Sequence, residues 1–117
     1  MKNILFLVCI IASSNLLANL KDVLDKDLSN IMEKVVEWRH DIHQNPELGN
    51  REFRTAKKVA DHLTSLGISV ETGIAHTGVV GLLTGDLPGP RVAIRADMDA
   101  LPVIEQTGLP YASTEKT

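Results

Sequence analysis

The stretch Leu63-Thr64-Ser65-Leu66-Gly67-Ile68-Ser69-Val70-Glu71-Thr72-Gly73-Ile74 decides the fold, because the spacing of its apolar residues changes on either side of Gly67. Upstream, Phe53, Ala56, Val59, Ala60, Leu63 and Leu66 recur at helical intervals and are expected to make the buried face of a helix. Downstream, Ile68, Val70, Thr72 and Ile74 alternate with a period of two, the pattern of a half-buried strand. Gly67 stands where a helix leaves through a left-handed residue. The chain is therefore of the α/β class.

The helix before Gly67 is expected to follow the turn Pro46-Glu47-Leu48-Gly49-Asn50, with Asn50 as N-cap and Glu52 as a favourable charge in its first turn. An earlier helix carries Leu24, Leu28, Ile31, Val35, Trp38 and Ile42 on one stripe, expected to pack by that face. It should end near Gln44, since Pro46 pushes Asn45 out of helical geometry. The same stripe fits a coiled-coil seam, but it spans fewer than three full heptads, which favours packing within a domain.

After the first strand, His76-Thr77-Gly78 reads as a turn, Val79 to Thr84 as a second strand apolar on both faces, and Arg91 to Arg95 as a third. The connections are too short for parallel crossovers, so strands that pair directly should be antiparallel. Gly78 and Gly81 suggest close backbone approach at the second strand. They lack the spacing and following helix of a dinucleotide site. Two helices and three short strands read as the opening of a larger α/β domain with a mixed or incomplete sheet; a complete small α+β domain is the alternative, though it must manage exposed edges.

Residues 1–18 read as an address. Lys2 precedes the apolar run Ile4 to Ala12, and small or polar residues follow, the pattern of a Sec-type signal peptide with cleavage after Ala18. As a helix the run extends about 14 Å against a bilayer core of about 30 Å, so no stable membrane anchor is expected. Localisation is then periplasmic or secreted. Loss of Lys2 takes the formal net charge from −3 to −4, and the single cysteine, Cys9, leaves with the leader. Residues 19–117 hold no thiol for a disulfide. Mild acidity and 3% aromatic content argue against nucleic acid as a partner.

Chemistry is expected at Arg95-Ala96-Asp97-Met98-Asp99-Ala100-Leu101-Pro102, where two carboxylates end an apolar run. Open α/β sheets place ligands at the carboxyl ends of their strands. On an extended backbone Asp97 and Asp99 point to the same side and could hold a cation or share a proton. Equally, either could cap the turn that follows. His40 and His43 lie three apart on the first helix but have no carboxylate or thiol companion at matching spacing, so neither is assigned as a metal ligand. His62 and His76 read as surface residues.

The segment Val92-Ala93-Ile94-Arg95-Ala96-Asp97-Met98-Asp99-Ala100-Leu101-Pro102 resembles the first signature of the zinc-dependent aminoacylase and carboxypeptidase family, in its amidohydrolase branch. That branch includes hippurate hydrolases, N-acyl-amino-acid amidohydrolases and hydrolases of indole-acetic acid conjugates. Trp38-Arg39-His40-Asp41-Ile42-His43-Gln44-Asn45-Pro46-Glu47-Leu48-Gly49, Glu52-Phe53-Arg54-Thr55-Ala56 and Thr107-Gly108-Leu109-Pro110-Tyr111 match it in order, so the likeness covers roughly residues 30–117.

The resemblance implies the N-terminal part of a three-layer metallopeptidase catalytic domain with a mixed sheet, in an enzyme with a smaller inserted domain that often dimerises. It also implies a divalent metal, zinc or manganese, that polarises the amide carbonyl of a small N-acyl amino acid and activates water, with a downstream glutamate moving protons. In related peptidases a metal-binding histidine takes the place of Asp97. In the amidohydrolase branch an aspartate there is usual, and a cysteine and histidine further on complete the ligands. Asp99 would then accept a hydrogen bond from a metal-bound imidazole, fixing its tautomer, and Asp97 would support the same pocket. On that reading residues 19–117 are inactive alone. The rival functions are a non-catalytic exported binding module and an Asp-x-Asp metal-dependent glycosyltransferase.

The His43, Pro46 and Glu47 pattern within these segments suggests a structural role, with the helix end held against the sheet.

Overall fold

The computed structural model describes residues 2–116, with side chains from Leu20 onward. The chain divides into two units, Met1–Arg39 and His40–Thr117. Four elements follow in order: α1 (Lys2–Gln44), α2 (Phe53–Ser65), β1 (Ser69–Ile74) and β2 (Gly78–Leu82). The expected signal segment, residues 1–18, falls outside the residues whose side chains are described.

The first unit is one helix. Lys21 pairs with Asp25, and Lys34 with Glu37 at 3.2 Å, so its polar residues are tied along the helix itself. The expectation that its apolar stripe packs is not met between Leu24 and Val35: Leu24, Leu28, Ile31 and Val35 are all exposed. A stripe of this kind buries itself only against a second apolar face.

In the second unit α1 ends at Gln44, as the proline predicts. Its last turn closes with the Asn45 backbone N–H and side-chain amide both donating to the Asp41 carbonyl, at 3.1 and 3.0 Å. The chain then turns, the Arg51 N–H bonding the Leu48 carbonyl at 2.8 Å, with Asn50 in the left-handed region at φ 64°. Asn50 is therefore not the N-cap of α2. Glu52 occupies that position and makes no capping bond of its own to the helix. A residue committed to left-handed geometry in the turn cannot also present its side chain to the helix start.

The C-terminus of α2 follows the sequence closely. Gly67, at φ 76°, donates to the Thr64 carbonyl at 2.9 Å, and Ile68 donates to the Leu63 carbonyl at 3.2 Å. These two bonds make a Schellman motif. It reverses the chain into β1, which pairs antiparallel with β2 in the register Ser69↔Leu82 and Thr72↔Val79, with an irregularity at Gly73. Both strands pack against α2. The close approach expected at the glycines is present. A Cβ on Gly81 would lie 3.1 Å from Leu63 Cδ1 and 3.2 Å from Ile68 Cγ2, and one on Gly78 would meet the Ile74 carbonyl oxygen at 2.4 Å.

The sheet has two strands, where the sequence predicts three. Residues 91–95 form no ladder; Val92 and Ile94 are 84% and 96% exposed. Alternating apolar residues become a strand only when a neighbouring edge takes their N–H and C=O groups, and β1 and β2 pair only with each other. The two helices and the antiparallel hairpin fit part of an α/β domain.

No hydrophobic residue is buried among the described residues. Phe53 and Leu66, expected on the buried face of α2, are 59% and 61% exposed. The buried side chains are instead polar: Glu52, Thr55 and Thr77.

Candidate functional site

Polar contacts assemble the second unit around the end of α1. Asp41 receives both Arg54 and Lys58 from α2, and these two cations fasten the helices together. The hydrogen bond from Lys58 holds the Asp41 carboxyl below its ordinary range, burial opposes this, and Arg54 adds to the lowering.

Glu47 takes over the capping of α2. Its Oε1 accepts the Arg54 N–H at 3.0 Å, and its Oε2 accepts the Thr55 N–H at 2.7 Å and the Thr55 hydroxyl at 2.8 Å. The first-turn donors of a helix have no partners within it, and a carboxylate at that end also meets the positive end of the helix dipole. Burial raises the Glu47 pKa, but the three hydrogen bonds and the Arg54 charge outweigh it, and the net shift is downward.

The stretch with Asp97 and Asp99 runs alongside this turn. The Ala100 N–H donates to the Glu47 carbonyl at 2.8 Å. Asp97 is exposed and accepts from Arg95 at 2.8 Å; Asp99 is exposed as well. Neither lies on a strand, so the expected placement of the two carboxylates by an extended ladder is replaced by this single main-chain anchor. An open groove of about 450 Å³ is lined by Pro46, Glu47, Leu48, Arg51, Pro102, Ile104 and Glu115.

Residues 105–114 close back on the helix end. Glu105 Oε2 meets His43 Nε2 at 2.7 Å and accepts the Ser113 N–H at 2.9 Å, while Oε1 accepts from Thr107. These contacts, led by the Thr107 hydroxyl, hold the Glu105 carboxyl down to about 2. The Thr114 N–H and hydroxyl both bond the Gln44 carbonyl, at 2.9 and 2.8 Å, satisfying an acceptor left over at the helix end. Tyr111 stacks on His40 at 3.6 Å between ring centroids. His43 thus does hold the helix end, but against residues 105–113; the sheet expected as its partner is not what it touches.

Among the described residues, no three His, Cys, Asp or Glu side chains are grouped to hold a metal ion. The donor chemistry explains why. His43 shares its Nε2 with Glu105, His40 lies flat against Tyr111, and Asp97 is taken by Arg95. His62 is half-buried and His76 sits in the hairpin turn with its ring against Phe53. The residues here do not by themselves fit a hydrolytic metal centre, which needs at least three protein ligands and an open position. No described helix is long and apolar enough to cross a membrane.

Sequence reasoning missed Glu47 as a cap and Glu105 as the partner of His43. The His43, Pro46 and Glu47 pattern was the available signal for the first. Nothing local marks the second, which is 62 residues away.

The chain is 44% identical over 99 residues to thermostable carboxypeptidase 2 of Saccharolobus solfataricus, covering 84% of this chain and 25% of that protein. It is 48% identical over 90 residues to hippurate hydrolase of Campylobacter jejuni (77% and 23%) and 41% identical over 90 residues to N-acetyl-L-cysteine deacetylase of Bacillus subtilis (77% and 22%). The chain spans about a quarter of the length of these relatives. No protein-family model and no solved structure matches it.

Proposed function

We propose that this chain, which belongs through its matched residues to the N-terminal part of the amidohydrolase and carboxypeptidase family, begins the catalytic domain of a hydrolase that cleaves the amide bond of a small N-acyl amino acid. The identity with hippurate hydrolase carries this reading, since hippurate is itself an N-acyl amino acid. The sequence Arg95 to Pro102 supplies the acidic part of the site. In that role Asp99 would accept a hydrogen bond from an imidazole that would hold the metal, fixing the ring's tautomer. Asp97, paired with Arg95, supports the same pocket. Metal dependence, on zinc or manganese, belongs to the proposal. The proposal assigns its ligands to the cysteine and histidine that the resemblance implies further along the protein.

The test is a hybrid in which residues 19–117 replace the matching part of Campylobacter jejuni hippurate hydrolase. Glycine release from hippurate, abolished by a chelator, is the expected result. A folded, metal-loaded hybrid that releases none overturns the reading. Residues 19–117 alone are expected to bind zinc no tighter than a generic surface site and to release no glycine.

Export to the periplasm or medium is a second part of the proposal, supported by Lys2 and the apolar run to Ala12. Mass spectrometry of the protein from the cell envelope should find an N-terminus near Asn19; an intact Met1 on a cytosolic product excludes export.

A further inference from the structure

We infer that Glu47 is a positioning residue for the Asp97–Asp99 segment, and that it holds the segment through its own main chain. The inference rests on the reading of Asp99 given above. Glu47 is held at both ends. Its carboxylate makes three hydrogen bonds onto the first turn of α2, two of them to Thr55, which at 2% exposure is the most buried side chain described. Its carbonyl accepts the Ala100 N–H at 2.8 Å, one residue beyond Asp99.

A charged group bonded to several donors makes stronger bonds than a neutral one. Fixing the carboxylate restrains the torsions between it and the backbone, and so the direction of the carbonyl. The other main-chain bond within residues 96–104, from the Val103 N–H to the Leu101 carbonyl at 2.9 Å, is local and ties the segment to nothing else. The next firm attachment is Glu105 on His43. Residues 97–104 are therefore slung between two anchors, and Glu47 is the one adjacent to the aspartates. A carboxylate that must meet a partner imidazole depends on such support, because small misplacements of an orienting group are costly.

The test uses the full chain and no substrate, so it fails or succeeds independently of the hydrolase reading. Amide hydrogen exchange is followed at Ala100 and, as a reference, at hairpin amides in the Ser69↔Leu82 to Thr72↔Val79 ladder. Glu47→Gln keeps the size and removes the charge, leaving one acceptor oxygen for two backbone donors. The expected result is a loss of Ala100 protection of about tenfold with the hairpin unchanged.

A merely structural Glu47 would move both sets together, and that outcome, or an unchanged Ala100, overturns the inference. Should Glu47→Gln unfold the chain, Thr55→Val decides the matter, as it removes one of the three bonds and leaves both backbone donors in place. A smaller loss confined to Ala100 supports the inference, and no loss or a loss shared with the hairpin rejects it.

Discussion

The Thr77 hydroxyl donates a 2.7 Å hydrogen bond to the Glu52 carboxylate, and both residues are buried. It joins the start of α2 to the end of the hairpin turn. In a unit with no buried apolar side chain among those described, this polar contact links helix and hairpin through two buried residues. A buried polar group that loses its partner carries its desolvation cost uncompensated.

Thr77→Val should therefore lower the thermal midpoint more than Thr77→Ser, which keeps the hydroxyl. The Thr77 bond is also the leading cause that holds Glu52 below the ordinary carboxyl range. Carbon-13 titration of Glu52 should show its pKa rising in Thr77→Val, and an unmoved titration would contradict the bond's role.

Glu105 predicts a pH dependence. Its pKa is depressed from 4.5 to about 2 in the folded chain, so the folded state binds the proton less readily than the unfolded one. The stability it contributes is complete above about 4.5 and is lost as pH falls toward 2. The stability difference between the native chain and Glu105→Gln, measured by urea titration, should be larger at pH 6 than at pH 2. The ring signals of Tyr111, stacked on His40, report whether residues 105–114 stay docked.

Two glycines should resist substitution for different reasons. Gly67→Ala forces a side chain into left-handed geometry at φ 76°, at a cost of about 1–2 kcal/mol. Gly81→Val must push Leu63 and Ile68 aside, a cost of about 1–3 kcal/mol. Gly85→Ala, where a Cβ meets nothing within 4 Å, is the control and should leave the denaturation midpoint near that of the native chain.

In the hybrid enzyme, Asp99→Ala should lower turnover about 10–100-fold through loss of the orienting carboxylate. Asp99→Asn keeps an acceptor oxygen without the charge and should fall between. Unchanged turnover and metal content in Asp99→Ala would remove Asp99 from the site.

The parts of this fold that the sequence made legible are those set by neighbouring residues. Pro46 stops α1 at Gln44, and Leu63, Gly67 and Ile68 lie close enough along the chain for their spacing alone to specify the α2 exit and the start of β1. The start of α2 was not legible, because its cap comes from Glu47, seven and eight residues before the groups it binds, while Asn50 is spent on the turn.

The strand expected at residues 91–95 has the right alternation, but strand formation is decided by an edge that the sequence of the strand does not contain. The same limit applies to the site. Asp97 and Asp99 are conspicuous as a pair, yet what fixes their neighbour Ala100 is a carbonyl more than fifty residues earlier.

The two-stranded hairpin leaves each strand with an unpaired edge; Leu82 at the end of β2 and Leu83 next to it are exposed, as are Val92 and Ile94 further along the chain. Open edges beside exposed apolar residues are templates for other chains to add to. For residues 19–117 purified by themselves, the consequence of an uncovered hairpin is colloidal: as concentration rises, copies should meet edge to edge.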